Sequence, residues 1–160
     1  SQRKSIPAIR TAVEQLARCC GEPLCAEGDE VFLFPTPEQL CGLTEAQLTG
    51  CGLGYRTRYI QHAAAQAAAR TLDLDALAVL PDDALFSRLL TLDGVGKKVA
   101  NCVCLFGYGR TAMAPIDVWI QRLIDEEFGG RDPFPAYGQQ AGIVQQYLFY
   151  YKRSISTQKK

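Results

Sequence analysis

Two glycines two residues apart, set between two apolar helical patterns, constrain this chain more than any other stretch. The string is Leu92-Asp93-Gly94-Val95-Gly96-Lys97-Lys98-Val99-Ala100. Phe86, Leu89 and Leu90 before it recur at helical spacing, and Val99 to Leu105 form a second apolar helical run. A helix, a glycine turn and a second helix make a hairpin. Gly94 and Gly96 open backbone angles closed to other residues and let another backbone come close. The second helix begins near Lys97, so its unpaired N–H groups and positive dipole end lie at the turn, where a phosphate fits. A bare Gly-x-Gly is more often the mark of a plain αα-corner, so the flanking residues have to decide.

The rest of the chain reads as short helices. Ile6, Ile9, Val13, Leu16 and Ala17 predict a helix with Pro7 in its first turn and Gly21 at its end. Residues 22–35 read as irregular, with Val31 to Phe34 extended. Thr36-Pro37-Glu38-Gln39 and Thr44-x-x-Gln47 are capping boxes that each start a short helix. Gly50-Cys51-Gly52-Leu53-Gly54 ends the second of these, and an alanine-rich helix follows from Tyr55 to Arg70. Asp75 to Leu80 is a turn or short helix, and Pro81-Asp82-Asp83 opens the first hairpin helix. Gly107-Tyr108-Gly109 stops the second. Asp117 caps a helix bearing Ile120, Leu123, Ile124 and Phe128, closed by Gly129-Gly130. Arg131 to Pro135 is a loop. The last helix is predicted over 137–153, with Val144, Tyr147, Leu148 and Tyr151 on its core face. No stretch alternates with period two for long, so the fold class is all-α: an array of short helices with a helix-hairpin-helix motif. At 160 residues one domain with a single core is expected.

Bulk properties exclude rather than assign. No apolar run is long enough to cross a bilayer, so no membrane partner is expected. Seventeen basic and seventeen acidic residues cancel, but a nucleic-acid face needs local charge, not net charge. The seven cysteines are odd in number and lack the spacing of a structural zinc site. They read as reduced core thiols of a monomeric, intracellular protein.

Four sets of residues can do chemistry or bind. Lys98 and Cys102 lie four apart on one helix and share a face. Lys98 is in the first turn, where the dipole and the adjacent Lys97 both disfavour the ammonium form, and a neutral amine is a nucleophile. A solvated surface lysine is the plain alternative. Asp117 is a helix cap, and the same carboxylate near a sugar stabilises positive charge at the anomeric carbon. Gln145 and Phe149 are a second i, i+4 pair: an amide reads the edge of a base and a ring stacks on its plane. Alternatively, Phe149 is core and Gln145 exposed. Gly52-Leu53-Gly54-Tyr55-Arg56-x-Arg58 sets an aromatic and two arginines at a glycine-rich helix start, suited to phosphate contact and stacking. The single His62 is given no role.

Leu-x-Gly-Val-Gly-x-Lys-x-Ala followed by Ala114-Pro115-Ile116-Asp117-Val118 resembles the helix-hairpin-helix DNA glycosylase superfamily. Phe34-Pro35-Thr36, Leu40-Cys41-Gly42, the Gly52 to Tyr59 stretch and Gln145 to Phe149 extend the likeness, and the whole is most similar to 8-oxoguanine DNA glycosylase/lyases. The resemblance implies base-excision repair of damaged duplex DNA: removal of an oxidised purine, then cleavage at the abasic site. It makes Lys98 the nucleophile that forms a Schiff base and Asp117 the transition-state stabiliser. Cys102 and Phe149 would sandwich the flipped base while Gln145 contacts its Watson–Crick edge. Gly94, Val95, Gly96 and Lys97 would grip phosphate. Tyr55, Arg56 and Arg58 would meet DNA near the opposite strand, with Trp119 where some members carry a phosphate-contacting His. The carbonyls of Leu90, Leu92 and Val95 would hold a structural monovalent cation; no other cofactor is implied, and no cysteine follows Cys104 to complete an iron–sulfur cluster. Arg3-Lys4-Ser5 replaces an asparagine-rich segment, and Asp93 replaces the hairpin's common Pro. The family's sheet-containing N-terminal domain, which supplies part of the base pocket, is absent from residues 1–160, which implies a fragment. Rival readings are a glycosylase/lyase for another base, a non-catalytic helix-hairpin-helix DNA-binding module and a helical interaction domain.

Overall fold

A computed structural model gives the structure of the protein, describing residues 4–26 and 29–158. These form two compact units, residues 1–77 and 78–160. Each has its own core, where the sequence suggests one.

In the first unit, α1 (Ile6–Cys20) starts at Ser5, whose hydroxyl accepts from the Ala8 N–H. It buries Ala12, Leu16 and Ala17 and leaves Ile6 and Val13 about half exposed, at 52% and 46%. Two short strands follow, β1 (Pro23–Ala26) and β2 (Asp29–Phe32), paired antiparallel with Leu24 opposite Val31. This hairpin corrects the irregular reading of 22–35: four-residue strands are too short to show an alternation. Leu33 N–H donates to the Glu22 carbonyl at 2.9 Å, continuing the ladder past β2. Gly21 is required here, because a Cβ would stand 1.9 Å from the Leu33 carbonyl oxygen. Both capping boxes form as read. Thr36 opens α2 (Pro37–Cys41) and Thr44 opens α3 (Glu45–Gly50), each with its glutamine bonded back to the cap. Helix α4 (Thr57–Ala68) packs on α2. Ala12, Leu16, Leu40, Leu48, Cys51, Leu53 and Ala64 form the core of this unit. Of the divergent Arg3-Lys4-Ser5, Arg3 lies outside the described residues; the Lys4 ammonium donates to the Gly52 carbonyl.

A short α5 (Leu74–Ala78) precedes the second unit's α6 (Asp82–Leu90) and α7 (Lys97–Cys102). From Val103 to Gly107 the α7 helix widens into a π turn, closed by the Tyr108 N–H on the Val103 carbonyl. Arg110 fastens this end, donating from Nη2 to the carbonyls of Ala78 and Leu80. Helix α8 (Val118–Glu127), a 3-10 stretch over Phe134–Gln140 and α9 (Ala141–Gln158) complete the unit. Ile120, Ile124, Phe134 and Ala141 are its buried cluster, with Ile116, Leu148 and Phe149 packed on them.

Helix α9 turns differently from the sequence reading. Tyr147 and Tyr151, expected on the core face, are 74% and 50% exposed, whereas Gln145 is 3% exposed. The stripe runs through Ala141, Gln145 and Leu148/Phe149. The expected face through Val144 and Tyr147 is displaced by one position. The cysteines also differ: all those described are free, but only Cys51 and Cys104 are buried, while Cys19, Cys25 and Cys41 are exposed. Among the described residues, no helix is long and apolar enough to cross a membrane.

Candidate active site

The hairpin turn is built by Leu92 to Val95, whose N–H donates to the Leu92 carbonyl at 3.1 Å. Gly94, the third residue of the turn, takes φ +76°, which glycine adopts without strain. Gly96 is a different case. It caps α7 at φ −94°, ψ 177°, a conformation open to any residue, and a Cβ there would meet nothing within 4 Å. Internal packing therefore does not demand this glycine. Its effect is to leave bare the start of α7, where no side chain caps the free N–H groups.

Lys98 is the second residue of α7, with Cys102 one turn further and Phe106 in the π turn beyond. Asp117 is the N-cap of α8: its Oδ1 accepts from the N–H groups of Trp119 at 3.0 Å and Ile120 at 2.9 Å. Both cap bonds use one oxygen, so the second carboxylate oxygen is not taken up by the helix. Lys98, Cys102, Phe106, Pro115, Asp117, Gln145, Gln146 and Phe149 line a single cleft of about 130 Å³. The two i, i+4 pairs and the aspartate, taken from separate stretches of sequence, thus face one space.

The cleft is graded in polarity. Lys98 and Asp117 supply opposite charges. Burial pushes the Cys102 thiol up from its ordinary range; Lys98 pulls it down and Asp117 pushes it up. The thiol is protonated at neutral pH, a soft, uncharged wall rather than a nucleophile. Phe149 is half-buried and carries the Arg153 guanidinium 5.7 Å from its ring centre. Gln145 accepts at Oε1 from Gln146 Nε2.

Other expected residues fall outside this cleft. Trp119 is half-buried on α8, with Arg122 5.7 Å from its ring. Tyr55, Arg56 and Arg58 belong to the first unit. There Gly52 and Gly54 take φ +70° and +59° and project Tyr55, which is 55% exposed. Arg56 stacks over its ring at 4.4 Å, and Tyr59 meets it edge-on at 6.2 Å. Arg58 stacks over Tyr59 at 4.9 Å. Sequence reasoning missed Phe106, Gln146 and Pro115. Phe106 had a signal, since it extends the Lys98/Cys102 spacing by four; Gln146 had none, because it adjoins Gln145. Among the described residues, no group of three or more His, Cys, Asp or Glu side chains is placed to hold a metal ion.

A helical hairpin with a bare N-terminus, followed by a lysine and a capping aspartate facing one cleft, defines a helix-hairpin-helix protein. The family model for HhH-GPD superfamily base excision DNA repair proteins matches residues 1–137, and the chain belongs to that superfamily. A probable N-glycosylase/DNA lyase of Methanothermobacter thermautotrophicus is 30% identical over 170 residues, covering 89% of this chain and 54% of the relative. The N-glycosylase/DNA lyase of Saccharomyces cerevisiae is 32% identical over 136 residues, covering 72% of this chain and 36% of its own length. Among solved structures, the Clostridium acetobutylicum 8-oxoguanine glycosylase/lyase bound to duplex DNA with cytosine opposite 8-oxoG superposes with a TM-score of 0.89 at 27% identity. That match covers 97% of this chain and 57% of the other. The chain thus spans 54% and 36% of the two relatives and 57% of the solved structure.

Proposed function

We propose that this chain is the helical, chemistry-bearing part of a DNA glycosylase/lyase that excises 8-oxoguanine from duplex DNA. One observation carries the reading: Lys98, Asp117, Gln145 and Phe149 line one cleft. A lone hairpin module needs none of these four, and a helical interaction domain needs no such cleft.

In the proposed reaction, the flipped nucleotide enters the cleft with its sugar toward Lys98 and its base toward Gln145. Lys98 gives up its ammonium proton to solvent, and its amine attacks C1′. The C1′–N9 bond breaks, its electron pair leaves with the base, and the base takes up a proton. Asp117 stabilises the positive charge that grows at C1′. Loss of the amine proton and opening of the sugar ring give a Schiff base. Removal of a C2′ proton then expels the 3′ phosphate by β-elimination, and water releases the lysine. Cys102 and Phe149 flank the base plane. Gly94, Val95, Gly96 and Lys97 bind a phosphate at the hairpin. The carbonyls of Leu90, Leu92 and Val95 would hold a monovalent cation there, which would add positive charge beside the phosphate; the Leu92 carbonyl also accepts from the Val95 N–H. Tyr55, Arg56 and Arg58 contact DNA from the first unit, and Trp119 does so from α8.

Borohydride tests this directly. With abasic-site duplex it must trap a covalent protein–DNA adduct, which Lys98→Gln must abolish while keeping duplex binding. Failure of the wild type to trap would leave a binding module.

A further inference from the structure

Gln145 and Gln146 are sequence neighbours, and successive side chains on a helix point roughly 100° apart. Both nevertheless line the cleft that holds Lys98 and Asp117. Their side chains are joined, Gln146 Nε2 donating to Gln145 Oε1. Gln145 is almost wholly buried, so its amide has little bulk water to fall back on. A carboxamide has an acceptor end and a donor end. Oε1 keeps a second lone pair, but its hydrogen bond from Gln146 fixes which way the amide faces and leaves the donor Nε2 wholly available to a ligand.

We propose that Gln146 is a specificity-determining residue: it fixes the direction of the Gln145 amide, so that the cleft selects a purine with a 6-oxo group on its Watson–Crick edge over one with a 6-amino group. This rests on the glycosylase reading above. The 6-oxo group accepts from Nε2. A 6-amino group in its place sets N–H against N–H, and a buried site built to pair one group rejects its opposite. Gln146 acts through Gln145 and takes no part in bond breaking.

The test uses the intact protein and duplexes identical except for 8-oxoguanine or 8-oxoadenine at one position, with the same opposing base. Single-turnover excision of each is measured, together with borohydride trapping on an abasic-site duplex. Wild type is expected to favour 8-oxoguanine. In Gln146→Glu the carboxylate only accepts, so the Gln145 amide turns to donate to it and presents Oε1 to the base. The ratio of 8-oxoguanine to 8-oxoadenine rates then falls about tenfold or more. Gln146→Met, of similar size and without a donor, frees the amide to turn and gives an intermediate ratio. Ratios within about twofold of wild type in both variants, with trapping retained, overturn the role of Gln146 and leave the glycosylase reading standing. No trapping by the wild type removes that reading and this inference together.

Discussion

Asp117 has a structural role as the cap of α8 and, in the proposed reaction, a chemical one. Its Oδ1 takes the N–H groups of Trp119 and Ile120, which orients the carboxylate toward the cleft without using its other oxygen. Asparagine caps nearly as well as aspartate, so Asp117→Asn should change unfolding free energy by less than about 0.5 kcal/mol. Base excision should nevertheless slow by about a hundredfold or more, because the charge that stabilises C1′ is gone. Thermal unfolding and single-turnover rates read the two effects separately. The hairpin glycines separate in the same way. Gly94→Ala forces a positive φ on an alanine and should cost about 1 kcal/mol of stability. Gly96→Ala meets neither strain nor contact. It should leave the melting temperature in place while weakening duplex binding, since the methyl group stands where the phosphate approaches. A fall in stability with unchanged binding would make Gly96 a packing residue.

At the scale of elements, legibility followed from how local the signal was. Capping boxes, the proline starts and the glycine stops are local chemistry, and α1, α2, α3 and α8 begin where their caps say. The hairpin string identified the α6/α7 pair for the same reason. The β1/β2 hairpin was hidden because pairing between two four-residue strands is not local to either. Helix α9 was found but turned by one position, because a stripe through Val144, Tyr147 and Tyr151 is as regular in the sequence as the one through Ala141, Gln145 and Leu148, and only packing chooses between them. The π turn after α7 was likewise invisible, although it carries Phe106 into the site. The observed face of α9 sorts its aromatics. Tyr147→Ala should be nearly neutral, within about 0.5 kcal/mol of wild-type stability. Phe149→Ala should lose about 1–3 kcal/mol of base stacking. It should weaken binding to lesion-containing duplex far more than to abasic-site duplex, which offers no base to stack; equal losses in a binding titration would assign Phe149 to the core alone.

The whole molecule divides the labour between two units. Residues 78–160 hold the cleft and the hairpin, while residues 1–77 carry the Tyr55 turn and the half-exposed Ile6 and Val13 of α1. Composition showed none of this, since the charges cancel over the chain and the sites depend on where they fall. The proposed reaction depends on one atom, the Lys98 amine, since a hairpin with a different nucleophile would carry a different reaction. Lys97 is its neighbour and the natural competitor. The decisive measurement is to reduce the complex with an abasic-site duplex, digest it and locate the sugar remnant by mass spectrometry. The remnant is predicted on Lys98. A remnant on Lys97, or on any other amine, would contradict the assignment.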